Sequence, residues 1–241
     1  MCHDYLLYLC FSNLLLRLIF NRTMNWVPYG PHALLFRFAD HVGEGALARQ
    51  RGIVAELERH PPTGLVEFVP AFTTILLEFD LKIVPEPKQV AGELLKRFET
   101  AAQAELPATP AKEIPVRYDG EDLETMATAK HMTVEEVCEL HCGQVYNVYM
   151  LGFSPGFPYL GDLNPRLHTP RLASPRPKVR AGSVAIGGEH TGIYTVDSPG
   201  GWNIIGHTSL KIFDPSRGGP NGLDEAMFLL KPGDRVKFVQ V

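Results

Sequence analysis

From Val145 to the C-terminus no stretch keeps the spacing of an amphipathic helix. Short apolar runs recur instead, at 145–151, 183–186, 192–196, 202–205, 210–213 and 235–239, with Gly and Pro between them. Many short strands divided by turn residues predict a closed or nearly closed β-barrel, because closure is how such strands avoid unpaired edges. Two motifs stand out in this region: GFSPGFPYLG at 152–161 and DSPGGWNIIG at 197–206. Gly permits positive φ and close backbone approach, while Pro fixes φ and removes a donor. Their density, with Phe153, Phe157, Tyr159 and Trp202 among them, points to shaped loops that hold a ligand or a partner.

The first part of the chain has a different pattern. Helical spacing at 45–59 (Leu47, Ile53, Val54, Leu57) and at 87–102 (Val90, Leu94, Leu95, Phe98) alternates with strand-like runs at 33–38, 65–69 and 73–79. This β-α-β-β-α order predicts an α+β two-layer domain over 24–108. A Pro-containing linker at 106–110 precedes a second domain, 109–241, which opens with a strand at 114–118 and two short helices at 121–129 and 133–141. Thr133 with Glu136 forms a capping box for the second helix. Residues 1–23 are set apart. Their apolar stretch is interrupted by Ser12, Asn13 and Arg17, has no signal-peptide cleavage pattern, and is followed by Met24-Asn-Trp-Val-Pro, which reads as a clean start. They are expected to be a non-native upstream extension.

Composition narrows the function. A net charge of −4 gives no basic face for nucleic acid, and no run after residue 23 is long and apolar enough to enter a membrane. Past residue 23 only Cys138 and Cys142 remain. That is no disulfide framework and too few ligands for a metal site, and it fits a reducing, cytoplasmic setting.

Three groups of residues have chemical potential. The stiff stretch 170–180 carries Arg171 and Arg176, each after a Pro, and a guanidinium fork suits carboxylate or phosphate. Gly182 with Ser183, and Ser198 with Gly200 and Gly201, offer backbone N–H groups and hydroxyls of the kind that form an anion nest. His190, beside Thr191 and with Asp197 as a possible orienting group, is the candidate proton carrier. Phe153, Pro155, Gly156, Tyr159 and Trp202 supply candidate ligand-contact positions in the two motifs. The chain has neither a Walker loop nor a G-x-S-x-G elbow.

These motifs, in order, carry a resemblance. GFSPGFPYLG, PRLASPR (170–176), AGSVAIGGEHTGIY (181–194), SPGGWNIIG (198–206), FDP (213–215), LLKPGDRVKF (229–238) and, earlier, EFVPAFTTILLEFD (67–80) resemble the B subunit of the bacterial ATP-dependent 5-oxoprolinases. This is the kinase-inhibitor-like or allophanate hydrolase subunit 1 family, with a carboxyltransferase C/D-type domain. The likeness spans 24–241. It implies a cyclophilin-like β-barrel for the second domain, pairing with subunits C and A, and opening of 5-oxo-L-proline to L-glutamate with ATP and its Mg counter-ion. A lactam is a poor electrophile, and phosphorylating its oxygen would activate it. Such a step needs Arg and backbone donors around developing charge, and Arg171, Arg176, Ser183 and the Gly200-Gly201 turn are suitable in kind. One branch of the family instead implies a regulatory protein that inhibits a sensor histidine kinase. The sequence departs from the family pattern at His190, where Gln is common, at His207, where Arg is common, at Arg180, where Pro is common, and at Leu172, the place of a second Arg.

Overall fold

The computed structural model describes residues 24–219 and 225–241; the expected extension 1–23 lies outside the described residues. The described residues divide into two compact units, one ending at Glu105 and the other running from Leu106 to Val241.

In the first unit, β1 (Asn25–Tyr29), β2 (Ala33–Arg37), β3 (Leu65–Pro70) and β4 (Thr74–Phe79) form an antiparallel sheet in the order β1-β2-β4-β3. Helices α1 (Glu44–Arg59) and α2 (Ala91–Ala101) join it. Strand β1 has no counterpart among the expected strands, and Pro28 sits inside it. It is tolerated because β1 is an edge strand, where a missing N–H breaks no inner ladder. The helical spacing expected from residue 87 begins as a 3-10 turn, Pro87–Gln89, before α2 takes over. Ile53 and Leu57 of α1 and Leu94 and Phe98 of α2 are buried with Leu34, Phe36, Ile75 and Leu77 of the sheet. Phe98 meets Phe36 edge-to-face at 5.0 Å between ring centroids. Burying each such side chain stabilises the unit by about 1.5–3 kcal/mol.

The second unit opens with β5 (Ala111–Val116), α3 (Leu123–Ala129) and α4 (Val134–Cys142). The Thr133–Glu136 capping box forms in both directions at the start of α4. There follow β6 (Val145–Leu151), β7 (Pro158–Gly161), β8 (Arg176–Val179), β9 (Ser183–Gly187), β10 (His190–Ile193), β11 (Ser198–Gly200), β12 (Asn203–His207) and β13 (Arg235–Gln240). Seven strands make one sheet in the order β12-β9-β10-β7-β6-β13-β5. The sheet curls far enough for its two ends to touch. Arg117, just past β5, bridges His207 of β12 through paired backbone hydrogen bonds of 2.9 and 2.8 Å.

One expectation needs correction. Residues 210–213 are not a strand and keep only an isolated bridge from Phe213 to Phe228. In the basic stretch 170–180 the second half is β8, which pairs with β11 in a separate two-stranded ribbon.

Period-two alternation gives the curled sheet two apolar faces. Val184 and Ile186 of β9, Ile193 of β10, Ile205 of β12 and Phe238 of β13 point into one core, which α3 and α4 complete with Leu123, Met126 and Val137. Ala185, Tyr194 and Ile204 belong to a second cluster with Phe157, Val179 and Trp202. The larger core also holds a polar chain. Tyr118 Oη lies 2.7 Å from His141 Nδ1, and His141 Nε2 lies 2.9 Å from Thr191 Oγ1. Thr191 donates its hydroxyl proton to the Ala185 carbonyl at 3.0 Å, so Nε2 must donate to Thr191 and Nδ1 must accept from Tyr118. His141 is fully buried, and burial holds its pKa at about 3. It is therefore neutral at physiological pH.

Candidate functional site

A pocket of about 300 Å³ opens on the face of the curled sheet that carries the second cluster. Phe157, Tyr194 and Trp202 form its base, and Tyr159 and Phe153 its wall. The rings meet edge to face: Phe157 lies 5.4 Å from Trp202 and 5.3 Å from Tyr194, and Tyr159 lies 5.8 Å from Trp202. Arg171 lies over the indole, with its guanidinium carbon 5.8 Å from the ring centroid, at cation–π range.

Local sequence explains the geometry. Gly187 of β9 lies under Trp202, where a Cβ would come within 2.5 Å of the ring. Gly200 of β11 leaves room for the Tyr194 hydroxyl. Much of the glycine in these motifs therefore makes space for aromatic side chains. Phe153 is different. It holds φ at 68°, a left-handed conformation costly for a bulky residue, and yet is 63% exposed. An aromatic ring held strained and facing solvent beside a pocket is a mark of a functional position.

Of the predicted site residues, Phe153, Tyr159, Arg171, Gly200, Gly201 and Trp202 come together around this pocket. The others do not line it. Arg176 pairs with Asp122 at 2.6 Å and Glu121 at 2.9 Å and donates to the Trp202 carbonyl at 3.4 Å. Asp122 in turn accepts from the Ile204 N–H at 2.6 Å. Arg176 thus ties the β8–β11 ribbon to β12 beside Trp202. In the first of the two expected nests the N–H groups already have partners: Ala181 donates to Asp197, Gly182 to Tyr194 and Ser183 to Arg180. Thr191 lies in the larger core on His141. Pro155 accepts from the Thr195 hydroxyl at 2.6 Å, and Gly156, at φ 71°, packs under Phe228. The Ser198 hydroxyl is buried without a hydrogen-bond partner among the described residues. Burial lowers the His190 pKa below its ordinary value, and Asp197 binds Lys178 and Ala181 rather than His190.

Sequence reasoning missed Phe157 and Tyr194 as site residues, although both lie inside the motifs it singled out. It also missed Glu121 and Asp122, which stand more than fifty residues from Arg176 and carry no local signal. Among the described residues no group of His, Cys, Asp and Glu is placed to hold a metal ion. No helix among them is long and apolar enough to cross a membrane.

The fold and site define a class: a mixed α/β protein whose curled, nearly closed sheet presents an aromatic pocket with a single cation. The family model for the carboxyltransferase domain, subdomain C and D, matches residues 24–223, and the chain belongs to that family. A Bacillus subtilis (strain 168) protein named as the B subunit of 5-oxoprolinase is 38% identical over 224 residues, covering 88% of this chain and 90% of that protein. An Escherichia coli O157:H7 protein of the same name is 43% identical over 181 residues, covering 73% of this chain and 78% of that one. The crystal structure of TTHA0988 in space group P212121 superposes with a TM-score of 0.75 at 41% identity, over 87% of this chain. The match spans only 40% of that longer protein.

Proposed function

We propose that this chain is a subunit of an ATP-dependent 5-oxoprolinase. It acts with subunits A and C to open 5-oxo-L-proline to L-glutamate as ATP is hydrolysed, with Mg as the nucleotide's counter-ion. The observation that carries this reading is the 38% identity to a relative named as the B subunit of 5-oxoprolinase, over nine-tenths of that relative's length. The name itself designates one part of an assembly, and we take the complex to be cytoplasmic and the chain to be inactive alone. The curled sheet and its single closing bridge support reading the second unit as a cyclophilin-like barrel.

Within that reading the aromatic pocket is the ligand site. Arg171 is the group that meets the ligand, and Phe153, Tyr159 and Trp202 supply its apolar surface. Arg176 is a positioning residue, because its guanidinium holds Asp122 and the Trp202 backbone. His190 has no role at the pocket.

The test is to co-express residues 24–241 with subunits A and C and measure ADP and glutamate release on adding 5-oxo-L-proline. Turnover that disappears when this chain is left out supports the reading. A stable three-subunit assembly with no turnover refutes it.

A further inference from the structure

Arg171 is the one charged side chain among the residues lining the aromatic pocket. Among the described residues it forms no ion pair, whereas its neighbours do: Arg176 with Glu121 and Asp122, and Lys178 with Asp197. The pocket therefore presents one uncompensated positive charge beside a wall of aromatic rings. Its volume of about 300 Å³ is at the small end of ligand sites.

Those features discriminate between the two molecules a 5-oxoprolinase must bind. A nucleotide triphosphate carries several negative charges, and proteins meet them with runs of free backbone N–H groups, helix N-termini and more than one cation. Among the described residues the pocket lining contains no helix N-terminus and no second cation. The nearby donors of Ala181, Gly182 and Ser183 are occupied, and Leu172 N–H already bonds the Gly201 carbonyl at 2.7 Å. A monocarboxylate needs only one guanidinium fork. A small ring attached to it finds Trp202, Phe157 and Tyr194 as its apolar floor.

We infer that this pocket binds a small cyclic amide bearing one carboxylate, with Arg171 on the carboxylate and Trp202 against the ring, and that it does not bind the nucleotide. The cyclic amide, and its naming as 5-oxo-L-proline, rest on the 5-oxoprolinase reading; a small ligand with one carboxylate and an apolar face is what the pocket's single cation and aromatic lining call for.

The chain has two tryptophans, Trp26 and Trp202, so Trp26→Phe leaves Trp202 as the only indole reporter. The full chain in that background is titrated with 5-oxo-L-proline, with 2-pyrrolidinone (the same ring without the carboxylate) and with Mg-ATP. In parallel, KM for both substrates is measured in the assembled complex. The expected result is a saturable change of Trp202 emission with 5-oxo-L-proline, weakened about 10–100-fold by Arg171→Gln and less by Arg171→Lys. 2-Pyrrolidinone should bind weakly and be indifferent to Arg171→Gln. In the complex, Arg171→Gln should raise KM for 5-oxo-L-proline and leave KM for ATP unchanged. Circular dichroism of the variants checks that they fold. The inference is overturned if Trp202 responds to Mg-ATP in an Arg171-dependent way. It is also overturned if Arg171→Gln leaves both 5-oxo-L-proline binding and its KM at wild-type values. Arg171-dependent binding of 5-oxo-L-proline without turnover in the assembled complex would sustain the inference and refute the 5-oxoprolinase reading. Normal turnover with an unchanged KM in Arg171→Gln would do the reverse.

Discussion

Trp202 lies directly over Gly187, and a Cβ on that glycine would come within 2.5 Å of the indole ring. The pocket floor is therefore set by what β9 lacks. The neighbouring alternate position of the strand, Ala185, is also small and buried in the same cluster.

Gly187→Ala should displace the indole and destabilise the second unit by about 1–3 kcal/mol, the usual cost of overpacking a close-packed site. Near-UV circular dichroism should lose tryptophan signal while far-UV signal persists. An unchanged near-UV spectrum would show that the ring has room to move.

Phe153 offers a cleaner test of backbone strain, because φ is 68° there. Phe153→Gly and Phe153→Ala remove the same ring, and they differ in tolerance of the left-handed region. At an ordinary position Ala is the more stabilising residue. Here Gly should be more stable than Ala by about 1 kcal/mol, read as the difference in urea midpoints. Both variants should weaken ligand binding equally. Ala more stable than Gly would mean that the residue relaxes out of this conformation.

Arg176 is 22% exposed and Asp122 15%, so their 2.6 Å pair is only partly screened. Arg176→Ala leaves Asp122 with one partner fewer and should cost about 1–3 kcal/mol. Because the same guanidinium reaches the Trp202 carbonyl, the variant should also shift Trp202 emission in the absence of ligand. A stability loss without that shift would confine Arg176 to the ribbon.

His141 gives a pH dependence with a definite sign. The folded chain keeps the imidazole neutral, with a pKa of about 3 against an ordinary value of 6.5. Below pH 6.5 the unfolded chain takes up a proton that the folded chain refuses, so acid favours unfolding. The contribution is complete above about pH 6.5 and is lost toward pH 3, at about 1.4 kcal/mol per unit. His141→Gln can still donate to Thr191 and removes the titration. It should cost about 1–3 kcal/mol at pH 7 and lose about 2 kcal/mol less than wild type between pH 6.5 and 5, as measured by urea unfolding. Parallel pH slopes for the two proteins would rule this out.

Much of the architecture was legible because it is written in local periodicity. The apolar spacing of Ile53 and Leu57, and of Leu94 and Phe98, placed two helices that do bury those residues. The Thr133–Glu136 capping box placed the start of α4. The short strands Pro158–Gly161, Arg176–Val179 and Ser198–Gly200 were not legible. Each is three or four residues long and contains Pro or Gly, so its extended form is fixed by the partner strand and not by its own preference.

At the site, the sequence by itself determined which residue types would be available: a rigid Pro-Arg segment, glycines that give way to rings, and the aromatics that fill the space. Only the tertiary structure decided their roles. Arg171 and Arg176 look alike in sequence, each following a proline. They diverge because Glu121 and Asp122 arrive beside Arg176 from a distant part of the chain, whereas Arg171 lies over the face of Trp202 and forms no ion pair among the described residues. His190 and His141 divide in the same way. The histidine in the motif lies outside the pocket, and the one outside every motif links α4 to β10 through Thr191 inside the core. A side chain's charge and hydrogen-bonding capacity are fixed by its chemistry. Whether they are satisfied within the chain or left for a ligand depends on groups that come together only in the fold.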